Sequence, residues 1–228
     1  MSTESQKIAE DLLSIRAVFF RPDEPFTWAS GIHSPVYCDN RLTLSDVRVR
    51  TDVEEGLASL IRREYPEAEI LMGTSTAGIA HAAITAQILS LPMGYVRSGA
   101  KDHGRKNQIE GKLLPGQKVV VVEDLISTAG SVLEVVDILR EAGAEVLGIV
   151  SIFTYGMKRG RERLAAASVK NDSLTDFDTV AERAAACGYI APEDVCRLLA
   201  FRDNPADESW MHTGAGAARK GGSDAASD

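Results

Sequence analysis

The sequence has no cysteine pair at metal or redox spacing, no apolar run long enough to cross a bilayer and no surplus of positive charge, and each absence removes a class of function. Its three cysteines, Cys38, Cys187 and Cys196, are odd in number and lack CxxC spacing. With no signal-peptide pattern either, the expectation is a cytoplasmic protein that keeps its thiols reduced. The net charge is −8, from 25 basic and 33 acidic residues, which argues against a nucleic-acid or membrane surface as the main partner. A GxxxxGK[ST] loop is missing, so this is not a P-loop nucleotide site. What remains is a chain of 228 residues, 44% hydrophobic, long enough for one substantial core.

The informative stretch is Lys118 to Ser131, which compresses a strand, two acids, a small-residue loop and a helix start into fourteen residues. Val119 to Val122 form an unbroken β-branched run, expected of a strand buried on both faces of a parallel sheet. Glu123 and Asp124 follow, where such a strand meets a ligand crevice. Ser127, Thr128, Ala129, Gly130 and Ser131 then supply hydroxyls and little bulk, so backbone N–H groups can wrap an anion ahead of a helix beginning near Ser131. Alone, the acids merely end a strand and a serine merely caps a helix.

Together, these features resemble the phosphoribosyl-diphosphate (PRPP) motif of the type I phosphoribosyltransferases. The resemblance implies that Glu123 and Asp124 hold the ribose 2- and 3-hydroxyls. It also implies that Leu125, Ile126, Ser127, Thr128, Ala129, Gly130 and Ser131 belong to the PRPP-binding stretch, with the loop on the 5-phosphate. Carboxylates accept from hydroxyls and N–H groups donate to phosphate, so the roles fit the residue types.

Two further segments narrow the resemblance. Phe26 to Arg41 mixes Gly, Pro, Ser and aromatics and reads as a short hairpin-like arm with a turn at Ser30-Gly31. It is similar to the base-binding arm of orotate phosphoribosyltransferases, except that Ala29 stands where many relatives carry Lys. His33 reads as a polar loop residue. The second segment, 98–111, is a long polar loop with three glycines; from Arg97 to Lys112 five cations face Asp102 and Glu110. It resembles the mobile catalytic lid of the same family. That implies PRPP contacts for Arg97, Lys101 and His103, with Lys101 and His103 catalytic. Ser98 departs from the pattern and takes no role.

The other elements follow from periodicity. Residues 4–18 carry an N-terminal helix and 46–65 a surface helix. Residues 69–72 form a strand entering a second small-residue turn, Gly73 to Gly78, which in the resembled family contacts pyrophosphate. A helix over 78–90, a strand over 93–97 and a helix after Ser131 follow. A strand over 146–153 completes a βαβ crossover, and helices are expected at 158–167, 176–187 and 192–201. Some relatives carry an orotate-binding Arg after the 146–153 strand; Arg159 is left without a role.

The expected architecture is α/β and type I phosphoribosyltransferase-like, a central mostly parallel sheet flanked by helices. A small N-terminal base-binding arm (about 20–41) and a flexible lid (about 98–111) complete a single domain over 1–210. Residues 211–228, rich in Gly, Ala and Ser, form a disordered tail. The resemblance implies transfer of the phosphoribosyl group from PRPP to orotate, giving orotidine 5-monophosphate and pyrophosphate. Ser127 would contact orotate, and Mg²⁺ would be carried by PRPP with no protein ligand assigned. A homodimer sharing its lid across the interface is expected. A purine or uracil transferase is disfavoured by the FTWASGIHSP arm. A PRPP-sensing regulator is disfavoured by the intact lid and the lack of a basic stripe.

Overall fold

The valine run forms an inner strand of a six-stranded sheet. The computed structural model describes residues 3–27, 31–99 and 108–212. In chain order the elements are α1 (Glu4–Ser14), β1 (Val18–Phe20), β2 (Phe26–Thr27), β3 (His33–Ser34), β4 (Val36–Cys38), a 3₁₀ segment (Asn40–Ser45), α2 (Val47–Glu64), β5 (Ile70–Thr74), α3 (Ala77–Leu89), β6 (Met93–Val96) and β7 (Ile109–Glu110). They continue with β8 (Lys118–Ile126), α4 (Gly130–Glu141), β9 (Glu145–Thr154), α5 (Lys158–Ala166), β10 (Asn171–Asp176), α6 (Phe177–Ala186), α7 (Asp194–Asp203) and a second 3₁₀ segment (Glu208–His212). The strand order is β10-β9-β8-β5-β6-β7, and every pairing is parallel except β6 with β7. The expected mostly parallel sheet is therefore present.

Burial on both faces follows from strand alternation. Val120 and Val122 join one apolar cluster with α1, α2, α3 and α6 residues, while Val119 and Val121 join the other with α4. All four valines are fully buried, each contributing about 1.5–3 kcal/mol of transfer free energy. The helices are started by local chemistry. Thr3 forms a reciprocal capping box with Gln6 at the head of α1, and Asp46 accepts from the Val49 N–H at 2.9 Å at the head of α2.

Four features differ from the sequence reading. First, β8 runs on to Ile126, so Glu123 and Asp124 lie inside the strand and not beyond it. Pairing with β9 continues to Ile126↔Thr154, whereas pairing with β5 stops at Val122↔Gly73. The last four residues of β8 therefore have one edge open. Second, Ile109 and Glu110, placed in the lid by sequence, pair antiparallel with Val96 and Tyr95. Third, β10 was not foreseen: its sequence NDSLTD is polar, and it pairs at the sheet edge, where Ser151 and Ser173 hydroxyls bond at 2.6 Å. The first helix is also shorter than expected, because Val18 already belongs to β1.

The arm folds as two small ladders, β1 with β4 and β2 with β3. Gly31, at φ +84°, turns the β2–β3 hairpin. Residues 28–30, including Ala29 and Ser30 of the expected turn, lie outside the described residues, as does the 213–228 part of the expected tail. His212 ends the last 3₁₀ segment.

Candidate functional site

The open edge of β8 is the floor of a cleft of about 320 Å³, lined by Thr74 to Ala77, Arg97, Glu123, Asp124, Leu125 and Ser131 among others. The two acids that β8 supplies to it differ in environment. Glu123 is only 7% exposed, and its Oε1 accepts from the Thr74 hydroxyl at 2.6 Å and from the Asp124 backbone N–H at 3.0 Å. Burial, with the neighbouring Asp124 carboxyl adding to it, pushes the Glu123 carboxyl up to about 8. Asp124 is half-buried and opens on the cleft. Its position is fixed from behind, where the fully buried Asn40 donates from Nδ2 to the Asp124 carbonyl at 2.8 Å.

Two small-residue loops flank these acids. The first leaves β5 at Thr74, crosses a cis Ser75–Thr76 peptide and enters α3 at Ala77. The Ser98 N–H donates to the Ser75 hydroxyl at 2.6 Å, tying this loop to the end of β6. Gly78 is required here: a Cβ would overlap the Val122 carbonyl oxygen and come within 2.5 Å of Thr74 Oγ1. The second loop leaves β8 at Ile126 and enters α4 at Gly130, through Ala129 at φ +58°. Helix α4 thus begins at the loop, presenting free N–H groups and the positive end of its dipole to an anion. The loop is braced by α5: Gly160 lies so close that a Cβ would overlap the Ser127 carbonyl oxygen. Arg163 Nη1 donates to the Thr128 carbonyl at 3.2 Å, placing a cation behind the loop.

The structure brings most of the sequence-derived candidates to this region without putting them in one cavity. Arg97, Glu123, Asp124, Leu125 and Ser131 line the 320 Å³ cleft, and Arg97 pairs with Glu110 at 3.1 Å. Ile126 and Ser127 line a second cleft of about 390 Å³, with Thr154, Gly156 and Arg161. Thr128 lines a third, of about 560 Å³, with Ile32 of the arm, Arg159 and the 202–206 segment. Ala129 and Gly130 form the turn into α4. Lys101 and His103 lie outside the described residues.

Sequence reasoning missed Asn40, Arg163 and the whole 194–212 unit as neighbours of the site. Asn40 and Arg163 act on backbone carbonyls, which leave no residue-type signature in the partner. Arg159 was passed over, yet it opens on the third cleft, and it makes no ion pair among the described residues. Among the described residues no group of three His, Cys, Asp or Glu side chains stands at metal-binding spacing, and no helix is long and apolar enough to cross a membrane.

Comparison with known proteins gives the family and the fold. The profile of the phosphoribosyl transferase domain family matches residues 48–184. An orotate phosphoribosyltransferase of Bacillus cytotoxicus is 56% identical over 206 residues, covering 90% of this chain and 98% of its own. That of Bacillus subtilis is likewise 56% identical, covering 90% and 95%. Among solved structures, the orotate phosphoribosyltransferase of Aeropyrum pernix superposes with a TM-score of 0.70 at 29% identity, over 81% of this chain and 99% of that one.

Proposed function

The chain belongs to the orotate phosphoribosyltransferase family, and on that premise we propose how its clefts divide the work of the reaction. The reaction transfers the 5-phosphoribosyl group from PRPP to orotate, giving orotidine 5-monophosphate and pyrophosphate in pyrimidine nucleotide synthesis. The observation that carries the division is the acid pair on the open edge of β8, set between the 74–77 loop and Ser131 at the head of α4 in one cleft.

In this reading Asp124, with Glu123 beneath it, accepts from the ribose hydroxyls. The 127–131 loop and the head of α4 donate N–H groups to the 5-phosphate, and the 74–78 loop with Arg97 faces the pyrophosphate. Lys101 and His103 add cations to that leaving group. The ribose carbon gains oxocarbenium character as pyrophosphate departs, so the protein's task is to align the acceptor and stabilise the departing charge. No side chain is assigned as a strong base.

Magnesium fits this site as a passenger of PRPP. A hard cation that keeps several waters needs only one or two carboxylates beside substrate phosphate oxygens, and Asp124, half-buried and facing the cleft, is the β8 acid that could meet it. When bound it neutralises charge on the diphosphate.

Orotate is assigned to the 560 Å³ cleft, because Thr128 joins that space to the phosphate loop. Arg159 stands there to meet the orotate carboxylate, while the neighbouring Lys158 pairs with Glu162 at 3.8 Å. Ser127, one residue earlier in the loop, is retained as a candidate orotate contact. The proposal extends to one catalytic domain over 1–210, a cytoplasmic enzyme, and a homodimer in which the lid of one subunit closes over the other's site.

The direct test is the fall in orotate ultraviolet absorbance when PRPP and Mg²⁺ are added, run beside uracil and hypoxanthine as acceptors. Turnover of orotate alone is expected. Turnover of a purine in its place, or PRPP binding with no turnover of any base, would overturn the assignment.

A further inference from the structure

The C-terminal unit, Asp194 to His212, contains a buried arginine that the reaction as described does not use. Arg197 is 2% exposed, and arginine is seldom buried unless its charge is matched. Its partners are drawn from both ends of the chain. Nη1 donates to Asp194 Oδ1 at 2.8 Å and to Asp23 Oδ1 at 2.9 Å. Nη2 donates to the Pro22 carbonyl at 2.6 Å, and Nε donates to the Trp210 carbonyl at 3.3 Å. Pro22 and Asp23 lie in the segment joining β1 to β2, so one guanidinium ties the arm to α7 and to the last 3₁₀ segment. A second tie is made farther out, where His33 on β3 meets Glu208 at 2.7 Å.

The unit that holds the arm is itself anchored. Leu198 and Phe201 are fully buried, and Trp210 packs edge-on against Phe201 with ring centroids 5.8 Å apart. Between these anchors, residues 202–206 line the 560 Å³ cleft together with Ile32 of the arm and Thr128 of the 127–131 loop. The same unit therefore supplies part of that cleft's lining and is tied to the arm that supplies Ile32 to it.

We propose that Asp194–His212 is the positioning element of the acceptor-base cleft, with Arg197 setting the arm's place over it and thereby the affinity for the base. This rests on the assignment of orotate to that cleft. Arg197 touches no substrate; it is a positioning residue, acting through Pro22 and Asp23. A planar fork reaching four oxygens cannot be reproduced by a lysine ammonium, so Arg197→Lys keeps the charge and loosens the arm.

The experiment is steady-state kinetics of Arg197→Lys, with hydrogen exchange read on 18–27 and 31–38. The expected result is a KM for orotate raised about tenfold, the equivalent of one charge-assisted hydrogen bond. The KM for PRPP should stay within about twofold by the same arithmetic, and exchange should quicken in the arm ahead of β5 and β8. Asp23→Asn and Glu208→Gln cut the two ties at exposed carboxylates and carry the test if Arg197→Lys does not fold. Each should raise the orotate KM by about threefold, a share of the same bond. Unchanged orotate KM with unchanged arm exchange, or equal increases in both KM values, would overturn the inference. Failure of the wild-type enzyme to use orotate would instead overturn the base assignment, while the exchange measurement still reports whether the C-terminal unit holds the arm.

Discussion

The cleft proposed for PRPP and the cleft proposed for the base are built from different materials. The first stands on β5 and β8, whose buried residues are locked on both faces of the sheet. The second is lined by Ile32 between the two-residue strands β2 and β3, by Thr128, by Met157 and the head of α5, and by the end of α7 with the turn after it, and the arm is joined to α7 through contacts such as Arg197–Asp23 that span 174 positions of sequence. Phosphate and ribose are the same in every PRPP reaction, and a rigid ladder suits them. A wall made of short elements held by a few ion pairs can be refitted to another base without disturbing that ladder. The two clefts are therefore expected to respond to different kinds of substitution.

The largest expected effect strikes the rigid cleft through its packing. Gly78→Ala forces a Cβ into the Val122 carbonyl and against Thr74 Oγ1, and overpacking at a site with no room costs about 3 kcal/mol. Urea unfolding should show this loss, with both substrates affected because the whole sheet shifts. A stability within about 0.5 kcal/mol of wild type, the range of an unremarkable surface change, would mean that α3 is free to move away.

A narrower break comes from Gly160→Ala, which displaces the Ser127 carbonyl and with it the phosphate loop. The cost is about 1–3 kcal/mol, falling on the KM for PRPP before that for orotate. Equal changes in the two would show that the loop's contacts to the base weigh as much as those to the 5-phosphate.

The third prediction concerns Glu123. Its folded-state carboxyl is raised from 4.5 to about 8, so the folded protein holds a proton that the unfolded chain has already released. That contribution to stability is complete below about pH 4.5 and is lost as pH rises toward about 8. Glu123→Gln should therefore flatten the decline in unfolding free energy over this window by about 1 kcal/mol or more. Parallel pH profiles for the two proteins would place the proton elsewhere.

How much of this was legible in the sequence follows the same division. Val119 to Val122 announced an inner strand because four β-branched residues in a row suit burial on both faces, and the acids and small-residue loop announced the anion site beside it. The extension of β8 through Glu123 and Asp124 was hidden because two carboxylates do not read as strand, and it is the ladder to β9 with the bonds from Thr74 and Asn40 that holds them there. Strand β10 was missed for a related reason: its serine and asparagine satisfy one another at the sheet edge instead of alternating with apolar residues. The base cleft was least visible. Arg159 and Arg197 look alike in a list of cations, and only the fold makes one open on a cleft and the other a buried clamp.

The central claim is that ribose-phosphate and base are held by separable parts of the molecule, and equilibrium binding to two variants tests it most directly. Titrations of PRPP with Mg²⁺ and of orotate, each against Asp124→Asn and Arg159→Ala, form the measurement. Asp124→Asn should weaken PRPP by about 1.5–3 kcal/mol, the worth of a charge-assisted hydrogen bond, and leave orotate within about twofold. Arg159→Ala should do the reverse. Two variants that each weaken both ligands equally would contradict the account.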